Sequence, residues 1–350
     1  MAQLFPARSK NDQPAQNKTE SAASPAAGQN ATSPSADLPA TRPVSIVARR
    51  RVGESTLAVF PLALGGSAFG WTADTETATR TLDRFADLGG NLVSTADSYS
   101  GGRSERIIGD WLRRSPVRDR IMIATKVGRS ADNPGLGPVS MVRAVEASLT
   151  RLGRDHIDIL GFNGDDVQVP LEESLATAEW LIDSGKVRYL ALAGYSAERL
   201  IEARILAATG LPKVIAIEAH YNLMHRAEFE GDLRIVASAQ SLAVLPAFPL
   251  ASGFLTGKYR SKTDVGTTVR GARAGEYLSR RGLRVIAALE HVAHAHDASV
   301  ASIALAWLLA KRNVVAPVAS ATLPEHVDDL MAAAGIRLTR SQMLELDRVS

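Results

Sequence analysis

Histidine is the side chain best placed to change charge near neutral pH; this chain has seven histidines and no cysteine. Without a thiol there is no disulfide framework, no thiol nucleophile and no cysteine-held metal. His291, His294 and His296 crowd one stretch. At helical spacing only the first two share a face, and no carboxylates surround them at ligand spacing, so no metal site is expected. His220 and His225 flank the end of an apolar run and are candidates to line a substrate pocket. His220, two residues beyond Glu218, is the better of the two. Gly101–Glu105 (GGRSE) reads as a loop entering a helix capped by Ser104, with a phosphate contact as the weaker alternative. Gly65–Gly66 lacks the spacing of a G-x-G-x-x-G dinucleotide turn.

The elements that must position such residues show as a regular alternation. From Ser45 onward, short β-branched or apolar runs alternate with amphipathic stretches, the pattern of repeated βα units on a parallel sheet. The runs are Phe60–Leu64, Asn91–Thr95, Ile121–Thr125, Ile157–Leu160, Val187–Leu192, Val214–Ile217, Leu242–Leu245 and Val314–Val318. Between them lie helical patterns such as Thr75–Leu88, Met141–Leu152, Leu171–Ser184 and Ala197–Ala207. Eight strands alternating with helices predict a closed (β/α)8 TIM barrel over residues 45–350 rather than an open doubly wound sheet. Ser45–Ala58 reads as a β-hairpin turning at Gly53–Glu54 and capping the barrel bottom. A long loop from Phe248 to about Arg273 and an extra helix at Val300–Ala310 exceed the repeat; long loops on a rigid barrel usually carry binding function. Residues 1–44, rich in Ala, Pro and Ser and poor in large apolar side chains, are expected to form a disordered tail.

Composition narrows the function classes. With 45% apolar and 22% charged residues the chain reads as a soluble globular protein. Its formal charge is only +3, and Arg49–Arg50–Arg51 is a local cluster without a longer basic stripe, so no nucleic-acid role is expected. No stretch approaches the ~18 apolar residues of a membrane span, and no apolar segment follows Met1 as in a secretory signal. A cytoplasmic enzyme acting on a small molecule is expected, its oligomeric state left open.

Seven segments then carry a family resemblance. They are Leu62–Gly70 (LALGGSAFG), Asn91–Gly109 (NLVSTADSYSGGRSERIIG), Ile123–Gly128 (IATKVG), Gly185–Tyr189 (GKVRY), Tyr221–Arg226 (YNLMHR), Gly253–Tyr259 (GFLTGKY) and Ile303–Leu309 (IALAWLL). In this order the chain resembles the aldo-keto reductases from about residue 46 to the end. The resemblance implies hydride transfer from NADP(H) to a carbonyl, served by an Asp, a Tyr, a Lys and a His. A phenol with an ordinary pKa near 10 is a poor donor at neutrality, and a neighbouring Lys⁺ favours loss of its proton.

Carried over by position, the Tyr is Tyr99 and the Lys is Lys126. The Asp position holds Ser94 and the His position holds Asn163, as in the potassium-channel β-subunit branch of the family. Asp97 lies close to Ser94 in sequence but on a segment that need not project to the same place. Among the implied cofactor contacts, a Ser-Asn pair is replaced by Ala193–Gly194 and a Gln by Glu218. The aromatic that stacks on the nicotinamide aligns with Ala247, with Phe248 next to it as a possible stand-in. The contacts to the adenosine end align with Thr322, His326 and Leu330. The pyrophosphate loop survives as Leu250–Lys258, with Leu250, Ser252 and Lys258 as its candidate contacts, and so do the small residues Ser320–Ala321.

Three readings follow. The favoured one is a divergent NADP(H)-dependent reductase of a small carbonyl or enone compound, with Tyr99 as acid and Lys126, Asn163 and Ser94 beside it. The second is a cofactor-free proton-transfer enzyme (isomerase, dehydratase or cyclase) on the same barrel. The third is a non-catalytic binding or regulatory barrel. Glu218 has two open roles, a new general base opposite Tyr99 or an ion-pair partner that replaces the missing Asp beside Lys126.

Overall fold

A computed structural model describes residues 47–266, 269 and 271–350; the tail expected over 1–44 lies outside the described residues. Two antiparallel strands come first, β1 (Arg50–Arg51) and β2 (Ala58–Val59), pairing Arg50 with Val59. The eight strands that follow are β3 (Ala63–Gly65), β4 (Leu92–Ser94), β5 (Met122–Val127), β6 (Ile157–Asn163), β7 (Val187–Ala193), β8 (Val214–His220), β9 (Ala243–Ala247) and β10 (Val318–Ala319). They form one parallel sheet in the order β10-β3-β4-β5-β6-β7-β8-β9. A parallel bridge between Val244 and Val314 closes its two ends into a barrel.

Apart from a few strand-end residues such as the exposed Arg188, the barrel strands are buried on both faces, as a parallel barrel requires. Residues facing inward near the bottom are mostly small: Ala63, Ala124, Ala191, Ala216 and Ala243 pack with Leu92, Ile159 and Leu245. Val52, Leu57 and Val59 of the hairpin join this cluster and plug the bottom. The hairpin turn fits because Gly53 has a left-handed φ of 52°, and a Cβ there would stand 2.2 Å from the Ile215 carbonyl oxygen.

Helices α1 (Thr75–Asp87), α2 (Arg103–Arg114), α3 (Pro138–Leu152), α4 (Leu171–Asp183) and α5 (Ala197–Ala208) cover the outside. Local chemistry sets their limits. Asp74 caps α1 by accepting from Thr77 N at 2.8 Å, Ser196 caps α5, and Gly153 ends α3 with a φ of 61°. Ser104 does not cap α2 as expected. Gly102, left-handed at φ 78°, starts the helix with no side-chain cap. The Ser104 hydroxyl, fully buried, donates instead to the Gly66 carbonyl at 2.9 Å and meets Thr95 Oγ1 at 2.9 Å. The helix Val300–Leu309 is buried on every side, which explains its unbroken apolar sequence. No single helix among the described residues is long and apolar enough to cross a membrane. The segment expected as one long loop after β9 contains short helices at Ala251–Thr256, Lys262–Val265 and Gly271–Gly275.

Candidate active site

Strand alternation carries Ser94, Lys126 and Glu218 to the C-terminal mouth of the barrel, one layer above the inward-facing cluster, and Asn163 two layers above Ile159 on its own strand. Lys126 is the centre of the group. Its Nζ donates to Glu218 Oε2 at 3.1 Å and to Ser94 Oγ at 3.3 Å, and it lies 5.5 Å from the centre of the Tyr99 ring. The Lys126 and Glu218 side chains are only 7% and 14% exposed, so the pair is buried. Burial pulls Lys126 down, but the Glu218 charge and the neighbouring Tyr99 outweigh it and hold the amine above the ordinary lysine value. Of the two roles open to Glu218, the structure places it as the ion-pair partner.

Two neighbours make the arrangement possible. Gly161 pairs in register with Lys126, and a Cβ on it would come within 2.6 Å of Lys126 Cγ. Ala193 stands in register with Glu218 and leaves it room. Neither role is visible from residue type alone. Asn163 ends β6 in register with Ala193, and its carbonyl accepts from Arg129 Nε at 2.7 Å.

Asp97 does not take the place of the missing carboxylate. It lies with a second buried group behind β5, where Glu105 accepts from Thr125 Oγ1 at 2.6 Å and from Arg151 Nε at 2.6 Å. Burial first, then the Glu105 charge, push Asp97 up to about 6 against the opposing pull of the Gly128 and Ser98 amides and of Arg151.

The rim carries the remaining candidates. His220 follows Glu218 on β8 and stacks on His225, ring centres 3.9 Å apart. Phe248 leans against His220 at 5.1 Å, with its ring half exposed. Ser320 sits between β10 and β3, meeting Ser67 Oγ at 3.0 Å. In the loop after β9, Ala251, Ser252 and Gly253 are successively left-handed (φ 47°, 58° and 93°). The Leu250 carbonyl closes this turn, accepting from Gly253 N at 2.8 Å and Leu255 N at 3.1 Å. The Lys258 ammonium lies 3.9 Å from the point a Gly253 Cβ would occupy.

These residues offer an uneven fit to a dinucleotide. The left-handed turn with Ser252 and Lys258 forms an open cradle with a cation beside it, suited to a pyrophosphate. At the nicotinamide side Ala193 and Gly194 have no side-chain donor, and Glu218 is committed to Lys126. At the adenosine side the Thr322 hydroxyl meets His326 Nδ1 at 3.3 Å. Two clefts elsewhere among the described residues leave out Lys126, Glu218 and Tyr99, though the second takes in Thr322. One is a cavity of about 340 Å³ between α4, α5 and the barrel bottom; the other, about 640 Å³, lies beside Trp71 and α2. His291 pairs with Glu345 and His296 with Gln342, tying their helix to Arg340–Val349.

Comparison with known proteins agrees with this architecture. The aldo/keto reductase family model matches residues 61–350: the chain belongs to the aldo/keto reductase family, an oxidoreductase family built on this barrel. It is similar to an aryl-alcohol dehydrogenase of Pestalotiopsis microspora, 29% identical over 89% of this chain and 84% of the relative. It is similar as well to a probable voltage-gated potassium channel subunit beta of Oryza sativa subsp. japonica, 29% identical over 82% of this chain and 91% of the relative. A norsolorinic acid reductase of Aspergillus flavus is 28% identical over 88% of this chain and 82% of its own length.

Proposed function

We propose that the chain is an NADP(H)-dependent reductase of a small carbonyl or enone compound, with Tyr99 as the proton donor. The supporting observation is the buried ammonium of Lys126 against the Tyr99 ring, its charge balanced by Glu218. When bound, the reduced nicotinamide supplies the hydride. The proton comes from the chain itself. The Tyr99 hydroxyl gives it to the substrate oxygen as negative charge builds there, and Lys126 stabilises the phenolate left behind. Glu218 keeps Lys126 charged at a depth where burial alone would favour the neutral amine. Asn163 brings an amide donor to the same mouth to orient the oxygen, and Ser94 adds a hydrogen bond to the lysine. Ser252, Lys258 and the Leu250 turn are the residues suited to hold the pyrophosphate, with Ser320 at the rim.

Cofactor-free proton transfer with Glu218 as general base is the weaker reading. A base must be free to take a proton, and this carboxylate already accepts from Lys126.

The test is titration of the purified protein with NADPH and NADH, followed by nicotinamide fluorescence and thermal shift. Micromolar binding, then turnover of carbonyl or enone compounds that falls at least about 100-fold in Tyr99→Phe, is the expected result. Absence of binding at millimolar nucleotide overturns the reading.

A further inference from the structure

The end of the barrel opposite the mouth holds a cavity that the chemistry at Lys126 does not use. It has a volume of about 340 Å³ and lies where α4 and α5 meet the starts of β7, β8 and β9. Residue size explains the space. Leu200, Ala203 and Ala207 recur at helical spacing on α5 and turn one face toward the sheet. Two of these three are alanines, which fill little of the gap. Across from them β8 carries an extra residue: Leu190 of β7 is in register with Val214 but Ala191 with Ala216, so Ile215 forms a bulge. A bulge bends its strand and re-aims the side chains around it, and Val214 and Ile215 both line the cavity.

The walls are apolar and the rim is charged. Ile182, Leu200, Ile215 and Leu242 line the inside together with Tyr189. The Tyr189 hydroxyl is fixed by the hairpin, accepting from Thr56 N at 3.2 Å and meeting Thr56 Oγ1 at 3.0 Å. Four charged side chains border the space: Arg188, Arg204, Lys213 and Glu54. Their charges do not cancel. Arg188 donates to the buried Asp158 at 3.1 Å and is matched there. Lys213 faces Glu54 at 3.5 Å, a loose pair with both side chains more than half exposed. Arg204, exposed on α5, has no hydrogen bond or ion pair among the described residues. It stands before the last turn of its helix, where the partial negative charge of the helix end has fallen off.

We propose that this cavity is a second binding site, for a small organic anion: an apolar body held inside, with a carboxylate at the rim beside Arg204 and Lys213. The volume sets the size. At about 30 Å³ for a water's share of the liquid, the space equals about eleven water-sized groups, which suits a ligand of about ten heavy atoms. The charge sets the class. A neutral ligand leaves Arg204 unmatched and a cation is repelled by it, whereas a planar carboxylate meets a guanidinium with two parallel hydrogen bonds. The proposal does not rest on the reductase reading. Ile215 and Glu218 are three residues apart on β8, about 10 Å at ~3.3 Å per residue, so the two sites share a strand and no volume.

The experiment titrates the full chain with 3-phenylpropanoate, and separately with its uncharged amide, while methyl NMR signals report where each binds. The acid is expected to shift the methyls of Ile182, Ile215 and Leu242 with a Kd of about 0.1–5 mM, the range that ligand size implies. The amide should bind about three- to tenfold more weakly, the worth of one or two half-exposed ion pairs. Arg204→Gln should erase most of that preference. Glu54→Gln frees Lys213 and should tighten the acid about two- to threefold. Ala203→Leu fills the space and should abolish binding of both. Arg204 and Glu54 are exposed, so their variants carry the test if Ala203→Leu does not fold. No shift at these methyls, shifts confined to the mouth around Lys126, equal affinity for acid and amide, or a preference unmoved in Arg204→Gln would each overturn the proposal. Each outcome holds whether or not NADPH binds.

Discussion

Replacing Glu218 with Gln removes the charge that balances Lys126 and changes the shape of the side chain very little. In the native arrangement the two groups are 3.1 Å apart and almost sealed from water. Stripping one partner from a buried ion pair costs about 3–5 kcal/mol, because the other charge stays behind uncompensated. Ser94 Oγ remains within 3.3 Å of the ammonium, so the lower end, about 3 kcal/mol at pH 7, is the expected loss. The pH dependence identifies the cause. Lys126 lies above its ordinary value in the folded chain, so its stabilisation is complete below that value and fades as pH rises through the folded one. In Glu218→Gln burial is opposed by Tyr99 without the Glu218 charge and the amine falls below its value in the parent, so the penalty is largest at low pH and is relieved as pH rises. The gap between parent and variant should therefore narrow between pH 7 and about 11. Urea unfolding across that range measures it. Ser94→Asp, added to Glu218→Gln, returns a carboxylate to the lysine from β4 and should recover at least half of the loss. A loss under about 0.5 kcal/mol, no trend with pH, or no recovery in the double variant would refute the reasoning.

Two other substitutions probe the surroundings of the pair. In Gly161→Ala the new Cβ would stand 2.6 Å from Lys126 Cγ; the displaced lysine should cost about 1–3 kcal/mol of stability and lower turnover more than substrate binding, and an unchanged kcat would count against the assigned contact. Asp97 is raised to about 6, so its carboxyl favours folding most below the ordinary carboxyl range, and that contribution is lost as pH rises from about 4 through 6. Asp97→Asn should accordingly match the parent near pH 4 and exceed it by about 1–3 kcal/mol above pH 6; a pH-independent difference in thermal melts would show that burial of charge is not the cause.

Much of the barrel was legible in the chain because the signals involved are local. A strand shows as a run of apolar residues and a helix as a repeat within four positions, so seven barrel strands and helices such as α4 and α5 overlap the places the pattern gives them, while β10 (Val318–Ala319) meets its expected run, Val314–Val318, only at the last residue. The hairpin turning at Gly53 was legible for the same reason, and the ordered motifs from Leu62 to Leu309 led to the family that the match over residues 61–350 establishes. Residue type misled where a local rule met a distant competitor: Ser104 has the right chemistry for a cap, but folding brings the Gly66 carbonyl to its hydroxyl. The site depended on such distant meetings throughout. Glu218 is 92 positions from Lys126 in the chain, and only closure of the sheet sets strands β5 and β8 across one mouth at 3.1 Å. The stack of His220 on His225 and the turning of Phe248 toward both belong to the same class. By itself the sequence determined the order and kind of the elements, through forces that act between near neighbours. Which charge balances Lys126, and which rings wall the mouth, was decided by tertiary structure, because ion pairing and ring contact depend on separation in space, which strand register and barrel closure set.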